Sequence, residues 1–239
     1  MKIDIHAHVL PGIDDGAKDW DDCLEMLRRS AKCGVKAVIA TPHYVSWKEG
    51  SSSKEIEQLC SQAKKKLLEK NGITMDIYCG NEIYYTTDAI RDLKEGKTLT
   101  LAGSRYVLVE FGWQSSYQIV CRAITEFREV GYIPIVAHVE RYKCLRQLER
   151  LQVIKDMGAL IQMNVEAFQG GVLDSGSRWA KNCLKEEMVD FLASDMHGLS
   201  RRTPIREEEL QWVLKKLRPE YQKDLLYNNA SRIINSIGV

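Results

Sequence analysis

The chain has 239 residues, 44% of them hydrophobic, and its 34 basic and 33 acidic side chains give a formal charge of +1. This length suits a single α/β domain over residues 1–239, and the near-neutral charge argues against nucleic acid or an anionic membrane as a partner. There is neither a run of eighteen apolar residues nor a signal-peptide pattern, so we expect a cytoplasmic protein without membrane insertion. The seven scattered cysteines, without a C-x-x-C pair, indicate reduced thiols.

Short β-rich runs alternate with longer helical patterns along the chain, which predicts βα units around a parallel sheet. The seven predicted strands are 2–6, 35–41, 73–82, 105–111, 133–138, 159–164 and 189–195. Helical spacing gives core-facing stripes before the third and fifth strands and after residue 204: Ile56, Leu59, Ala63 and Leu67; Ile119, Ala123, Phe127 and Val130; Leu210, Val213, Leu214 and Leu217. Gly72 follows a helical run, as expected of a left-handed helix terminus. Two or three closing helices are predicted after residue 204.

All five histidines follow predicted strands, at the end where a catalytic barrel carries its working residues. They are His6 and His8 after the first strand, His43 after the second, His138 after the fifth and His197 after the seventh. Residues i and i+2 of a strand project to one face, so both imidazoles of the first H-x-H can reach one cation. Asp195 and His197 repeat that spacing.

Carboxylates extend this set of candidate ligands. Glu82 and Glu110 end two further strands, Asp14 and Asp15 follow the first H-x-H, and only the sixth strand, ending at Asn164, lacks a strong ligand. A lone histidine at a strand end is more often a hydrogen-bonded structural residue, but five of five predict a metal site. Imidazole and carboxylate without thiolate suit manganese, iron or zinc, and two or three such ions clamp phosphate oxygens and acidify bound water. The expected chemistry is hydrolytic.

Six strings in this order, DIHAHVLPGIDDGA, ATPHY, GNEIYY, LVEF, AHVERY and SDMHG, resemble the polymerase-and-histidinol-phosphatase (PHP) superfamily. Within it they resemble most closely the bacterial manganese-dependent protein tyrosine phosphatases of capsule and exopolysaccharide operons. The resemblance runs from residue 2 to residue 204. It implies a distorted seven-stranded (β/α)7 TIM-like barrel, a trinuclear centre with Mn²⁺ favoured over iron or zinc, and hydrolysis of phosphotyrosine on a tyrosine kinase of polysaccharide export.

The resemblance also implies a distribution of ligands among three ions. The first ion would be held by His6, His8, Glu110 and Asp195. Glu110 and His138 would help to hold the second, and Glu82, His43 and His197 would complete the second and third. Either Asp14 or Asp15 would ligate the third ion, and superfamily members place that ligand at either offset.

Two arginines are expected to bind phosphate by the same resemblance. Arg141 of AHVERY matches the family's phosphate-binding arginine, and its planar fork suits two phosphate oxygens. A second arginine follows the D-x-H motif, where Arg202 is favoured over Arg201. We expect a hydroxide that bridges the metals to attack phosphorus in line, with Arg141 stabilising charge on the equatorial oxygens.

Other functions compete with this one. C-x5-R, the pattern of cysteine-based tyrosine phosphatases, occurs from Cys23 to Arg29 and from Cys144 to Arg150, but both stretches are helical and contain no glycine to cradle phosphate. A small-molecule phosphatase of the same superfamily, acting on histidinol phosphate, shares the ligands and differs in access. A non-catalytic metal-binding regulatory module is a further alternative. Six aromatic side chains near the ligands are candidates to stack a phosphotyrosine ring: Tyr44, Trp47, Tyr84, Tyr85, Trp113 and Tyr142.

Overall fold

The computed structural model describes residues 1–48, 50–171 and 173–236. In this part of the chain nine strands alternate with helices. The strands are β1 (Lys2–Ala7), β2 (Val35–Ala40), β3 (His43–Tyr44), β4 (Asp76–Cys79), β5 (Glu82–Tyr84), β6 (Tyr106–Glu110), β7 (Ile133–Val136), β8 (Leu160–Asn164) and β9 (Phe191–Ala193). The α-helices are α1 (Trp20–Lys32), α2 (Ser53–Asn71), α3 (Ala89–Lys94), α4 (Tyr117–Glu129), α5 (Leu148–Asp156), α6 (Ser175–Lys185), α7 (Glu207–Lys216), α8 (Pro219–Lys223) and α9 (Asn229–Asn235).

Every pair of neighbouring strands is parallel, which confirms the predicted α/β class. One sheet has the order β1-β2-β4, and the other has the order β3-β5-β6-β7-β8-β9. The backbone N–H of Asp195 donates to His6 O and that of His8 to Met196 O, both at 2.9 Å. Because these bonds join the end of β9 to the end of β1, the sheet curls round until its first and last strands meet.

The predicted count of seven strands is not confirmed, because the described residues form nine. The predicted strand 73–82 breaks between β4 and β5, and the chain after β2 resumes pairing only at β3. Pro42 cannot donate to a ladder, and the buried amide of Asn81 donates to its carbonyl oxygen at 2.9 Å. A Cβ on Gly80 would meet the Leu101 side chain at 2.8 Å, so close packing requires glycine at this break.

The helices cover the outside of the sheet and match the predicted pattern with two exceptions. In α2 the buried face contains Ile56, Ala63 and Leu67, and the helix ends at Gly72 with φ of 63°. In α4, however, Ile119 and Val130 are 38% and 37% exposed, because the first lies in the opening turn and the second lies beyond the last turn. Leu214 of α7 is exposed as well. The three helices predicted after residue 204 are α7, α8 and α9, joined by a π-helical turn between the last two.

The interior of the curled sheet is packed at its lower end and polar at its upper end. Ile5 of β1, Ile39 of β2, Leu108 of β6 and Ile135 of β7 belong to one buried apolar cluster. Side chains alternate along a strand, so Glu110, two residues beyond Leu108, shares its face but lies at the carboxyl end. The apolar layer therefore supports a layer of ionisable side chains. Among the described helices, none combines the length and apolar character that crossing a bilayer requires.

Candidate metal centre

The carboxyl ends of the strands bring nearly all the predicted ligands together. His6 lies in β1, His43 opens β3, Glu82 opens β5 and Glu110 ends β6, whereas His8, His138, Asp195 and His197 lie in the segments that follow β1, β7 and β9. Their donor atoms form three groups, each within 4.8 Å: His6, His8, Glu82 and Asp195; His8, Asp15, His43 and His197; His43, Glu82 and Glu110. The prediction that strand ends would gather these side chains is confirmed.

The first group is completely buried. Nε2 of His6 lies 3.3 Å from both Glu82 Oε2 and Asp195 Oδ1, and Nε2 of His8 lies 3.2 Å and 3.5 Å from the same two oxygens. Within the described residues these two oxygens have no hydrogen-bond partner of acceptable geometry. A buried carboxylate oxygen without a partner is costly, so its position among imidazole nitrogens favours a bound cation.

The hydrogen bonds on the far sides of the two rings define which nitrogen is free. His8 Nδ1 lies 2.7 Å from Asp14 Oδ2, and His6 Nδ1 lies 3.1 Å from Gln162 Oε1. That Gln162 atom also accepts the backbone N–H of His138 at 2.6 Å, so it is the oxygen and His6 Nδ1 must donate. When both rings are neutral, two Nε2 lone pairs therefore face each other across 3.2 Å. A positive charge shared by these atoms, a proton or a metal ion, makes this arrangement favourable, and the nitrogen and oxygen donors fit a divalent metal ion.

The second group is nearer to solvent and distinguishes the two aspartates after β1. Asp15 Oδ1 lies 3.3 Å from Nε2 of both His43 and His197. Asp14 instead turns inward to His8 Nδ1, where it orients a ligand ring rather than offering a ligand oxygen to this group. Of the two aspartates that the sequence left open, Asp15 lies with the other predicted ligands and Asp14 lies behind one of them.

The third group connects β3, β5 and β6. Glu82 Oε2 lies 3.0 Å from His43 Nδ1, while its Oε1 lies 2.7 Å from His138 Nε2. Glu110 is farther out, at 3.7 Å from His43 Nδ1 and 3.5 Å from His138 Nε2. Glu82 thus contacts four histidines: His6, His8 and His43 through Oε2, and His138 through Oε1.

This grouping differs from the distribution that the resemblance implies. The carboxylate that lies with His6, His8 and Asp195 is Glu82 and not Glu110. The reason is position, because Glu82 is buried at the centre of the cluster, whereas the Glu110 side chain is 22% exposed at its rim. Burial and the neighbouring Glu82 carboxylate raise the pKa of Glu110 to about 7. These surroundings therefore disfavour the charged form of the Glu110 carboxyl.

The inner carboxylates create a strongly cation-attracting environment. Burial lowers the pKa of His8, but Asp14 and Glu82 outweigh burial and raise the pKa to about 10. Burial also opposes ionisation of Asp195, yet the neighbouring imidazole of His6 holds the pKa of Asp195 well below its usual range. A site that binds protons this strongly binds divalent metals for the same electrostatic reason, and the two compete.

Both predicted arginines lie beside the cluster. Arg141 is half-buried and donates from Nη2 to Asp195 Oδ2 at 2.5 Å, and Arg202 Nη1 lies 3.0 Å from His197 Nε2. They line a cavity of about 600 Å³ together with Arg201 and Arg206. Of the two arginines that follow the D-x-H motif, Arg202 contacts a predicted ligand, in agreement with the preference drawn from the resemblance.

The backbone around the cluster is strained. Among the described residues, five other than glycine have positive φ, and three of them are His138 at 31°, Asp195 at 51° and Arg202 at 44°. A non-glycine residue in this region costs on the order of 1–3 kcal/mol, and such costs concentrate at functional sites. The sequence has no signal for this feature, because none of these residues is glycine or asparagine.

Strand β8, which lacks a strong ligand, contributes two buried amides that sequence reasoning missed. Gln162 and Asn164 are both fully buried and lie on the same face of the strand. Polar residues at i and i+2 within the apolar run LIQMN are the signal that could have found them. Their hydrogen bonds lead directly to His6 and Asp195.

The cysteine patterns do not form a nucleophilic site. Cys23 is buried within α1, and burial raises the pKa of its thiol to about 12. Burial also raises the pKa of Cys144, and Arg150 donates to the backbone oxygen of that residue and not to its sulfur. Neither thiol has the depressed pKa that a thiolate nucleophile needs, so the prediction that both patterns are accidental agrees with the structure.

The six aromatic side chains near the ligands divide by exposure. Tyr142 is buried and packs beneath His138, and Tyr85 donates its hydroxyl to Glu126. Trp47 is 73% exposed and meets the Tyr84 ring edge-on at a centroid distance of 5.9 Å. Trp47 and the half-buried Tyr84 therefore form an aromatic pair that is partly open to solvent.

Comparison with known proteins gives similarity over nearly the whole chain. The family model for capsular polysaccharide synthesis, CpsB/CapC, matches residues 2–235. The tyrosine-protein phosphatase CpsB of Streptococcus pneumoniae is 30% identical over 97% of this chain and 98% of its own. Crystal structures have been solved of YwqE from Bacillus subtilis and CpsB from S. pneumoniae, described as unique metal-dependent tyrosine phosphatases. A chain of these structures superimposes on this one with a TM-score of 0.88 at 27% sequence identity. The match covers 99% of this chain and 96% of that one. A phosphotriesterase homology protein from Escherichia coli, with a TM-score of 0.56 at 12% identity over 98% of each chain, shares the fold alone.

Proposed function

Because this chain belongs to the CpsB/CapC family of capsular polysaccharide synthesis proteins, we propose that it is a metal-dependent protein tyrosine phosphatase. It is a phosphoric monoester hydrolase that does not use cysteine. The observation that carries this conclusion is the pair of buried Nε2 atoms of His6 and His8, facing each other beside two carboxylate oxygens without hydrogen bonds. That arrangement favours a bound cation, and a multi-ion centre supplies the nucleophile that a phosphatase without a thiolate needs.

We assign the metal ligands from the three groups of donor atoms. His6, His8, Glu82 and Asp195 would hold the innermost ion; His138, Glu82 and Glu110 would hold a second; Asp15, His197 and the Nε2 atom of His43 would hold a third. Asp14 orients His8. Nitrogen and oxygen donors suit two or three ions of Mn²⁺, with iron or zinc as alternatives. When bound, such ions supply Lewis-acid polarisation of phosphate and a nucleophile at neutral pH.

The chain's own residues then bind and orient the phosphoester. Arg141 and Arg202 line the cavity beside the cluster and can donate to the phosphate oxygens that no metal neutralises. Asp195 holds Arg141 at 2.5 Å, so the arginine is aimed before substrate arrives. A phenolate leaving group needs little or no protonation, and we assign no general acid.

The rim of the site supports a protein substrate. The cavity of about 600 Å³ is lined by Arg141 and Arg202, and the exposed Trp47 packs edge-on against Tyr84 of β5, the strand that Glu82 opens. We propose that the substrate is a phosphotyrosine of a cytoplasmic tyrosine kinase segment that controls polysaccharide export. We also propose that residues 1–239 form one domain, a distorted seven-stranded barrel in which β2 continues as β3 and β4 as β5.

Phosphotyrosyl peptide is expected to be hydrolysed at least about tenfold faster than phosphoseryl peptide or histidinol phosphate, since a phenolate leaves more readily than an alkoxide. The measurement is initial phosphate release by the Mn²⁺-reconstituted protein at matched substrate concentrations. Preference for histidinol phosphate would indicate a small-molecule phosphatase with the same metal centre. Full metal occupancy without turnover of any phosphoester would support a non-catalytic module.

Replacing Cys23 with serine is expected to leave turnover of phosphotyrosine within about twofold of the parental rate, because a buried thiol with a pKa of about 12 supplies no thiolate. The same assay checks this expectation, with metal content and melting temperature as controls. Loss of activity in a folded, metal-loaded Cys23→Ser protein would restore the cysteine mechanism.

A further inference from the structure

We propose that Gln162 and Asn164 of β8 are positioning residues, which orient two metal ligands and the phosphate-binding arginine through a one-way chain of hydrogen bonds. The inference rests on the proposed metal centre. Both side chains are fully buried, and neither lies in any of the three groups of donor atoms. Their contribution is therefore made through His6, Asp195 and Arg141 and not through the ions.

The direction of the chain is determined by a backbone amide. A backbone N–H can only donate, so the Gln162 atom that lies 2.6 Å from the N–H of His138 must be the carbonyl oxygen. The same oxygen lies 3.1 Å from His6 Nδ1. His6 Nδ1 therefore carries a hydrogen, and Nε2, which faces Glu82 and Asp195, keeps its lone pair for the metal.

The same logic continues along β8. With its oxygen engaged, Gln162 donates from Nε2 to Asn164 Oδ1 at 2.8 Å. Asn164 must then donate from Nδ2 to Asp195 Oδ2, also at 2.8 Å. Asp195 Oδ2 receives Arg141 as well, which leaves Oδ1 free at 3.3 Å from His6 Nε2. Each step thus decides which atom of a ligand is available to the metal.

Only a primary amide can fill either position without reversing the chain. A carboxylate at residue 162 or 164 could accept but not donate, and it would add negative charge to a cluster that already contains Glu82 and Asp195. An apolar side chain of the same size would leave the buried N–H of His138 and the Nδ1 of His6 unsatisfied. The i, i+2 spacing on one face of β8 gives the two amides the separation that the relay needs.

The test compares Gln162→Met with the parental protein and with Gln152→Met, a matched substitution of an exposed glutamine whose amide contacts only Asp156. Free Mn²⁺ is measured by electron paramagnetic resonance during titration, together with kcat and the melting temperature of the metal-free protein. We expect Gln162→Met to raise at least one Mn²⁺ dissociation constant by about 10–100-fold, and Gln152→Met to raise none. If the Gln162 amide had only a structural role, Gln162→Met would lower the melting temperature. At temperatures well below melting, however, every Mn²⁺ dissociation constant would then be unchanged.

Gln162→Glu is the second variant, and it keeps the acceptor for His138 and His6 while removing the donor to Asn164. At saturating Mn²⁺, kcat is expected to fall at least about tenfold, because Asn164 must turn its oxygen toward Asp195. Parental kcat in Gln162→Glu, or parental Mn²⁺ affinity in folded Gln162→Met, would overturn the inference. A parental protein that neither binds Mn²⁺ nor releases phosphate would overturn the metal centre itself, and the inference with it.

Discussion

Asp195→Asn is expected to lower kcat for phosphotyrosine hydrolysis by on the order of 10²–10³-fold or more, the effect of removing one preorganised electrostatic group from an active site. Asp195 contacts the site through both oxygens: Oδ1 faces His6, His8 and His197, and Oδ2 accepts both Arg141 and Asn164. Asparagine has nearly the same shape but lacks the charge that holds a cation and aims the arginine. Both metal binding and phosphate binding should therefore weaken.

Asparagine is the appropriate substitution because Asp195 has a φ of 51°, a backbone region that asparagine adopts at lower cost than alanine. The measurement is kcat at saturating Mn²⁺, with circular dichroism as the check on folding. Asp156→Asn, at an exposed position of α5, is the matched control and should keep the parental kcat. A folded Asp195→Asn enzyme with parental turnover would contradict the assignment of Asp195 as a ligand.

Removal of the metals is expected to abolish hydrolysis and to lower the melting temperature. A ligand that binds only the folded state, present at about 1,000 times its dissociation constant, stabilises that state by about 4 kcal/mol. For a chain of this size each 1 kcal/mol corresponds to roughly 2–4 °C, so one such site accounts for about 8–16 °C. The carboxylates Glu82, Glu110 and Asp195 and the facing imidazoles would be left without the cation that offsets their repulsion.

This expectation is checked by prolonged dialysis against EDTA, with the residual metal measured, followed by a melting curve and an activity assay. Manganese added back should restore both properties. The control is the same dialysis with EDTA already saturated by Ca²⁺. Full activity in protein verified to be metal-free would exclude metal-dependent hydrolysis by this chain.

Much of the site follows from the sequence because strand ends of parallel barrels meet at one edge. The histidines could be placed there from their spacing alone, as could Glu82, Glu110 and Asp195. The roles of Asp14 and Asp15 could not, since adjacent residues in a loop point wherever local turns direct them, and the structure turns one toward His8 and the other toward His43 and His197. The central position of Glu82 likewise depends on the curvature of the sheet and not on spacing.

The predicted count of seven strands is not confirmed for a comparable reason. The sequence predicts one strand over residues 73–82, through Gly80 and Asn81, where the chain breaks into β4 and β5. The break depends on a tertiary contact, the hydrogen bond from the Asn81 amide to the Pro42 carbonyl. Gln162 and Asn164 were overlooked because amides are weak ligands, although their importance here lies in orienting stronger ones.

The closure of the sheet by hydrogen bonds between the end of β9 and the end of β1 bears on how the enzyme folds. His6 and Asp195 belong to one ligand group although 189 positions separate them in the chain (195 − 6). Contacts of such high sequence separation form slowly, because the entropy of closing the loop is lost before the contact stabilises anything. The proposed innermost ion would thus lack a complete set of ligands until the last strand has docked. A folding intermediate that has native helices but no pairing between β9 and β1 would be inactive. Recovery of activity therefore reports the completion of folding, whereas recovery of the helical circular dichroism signal does not.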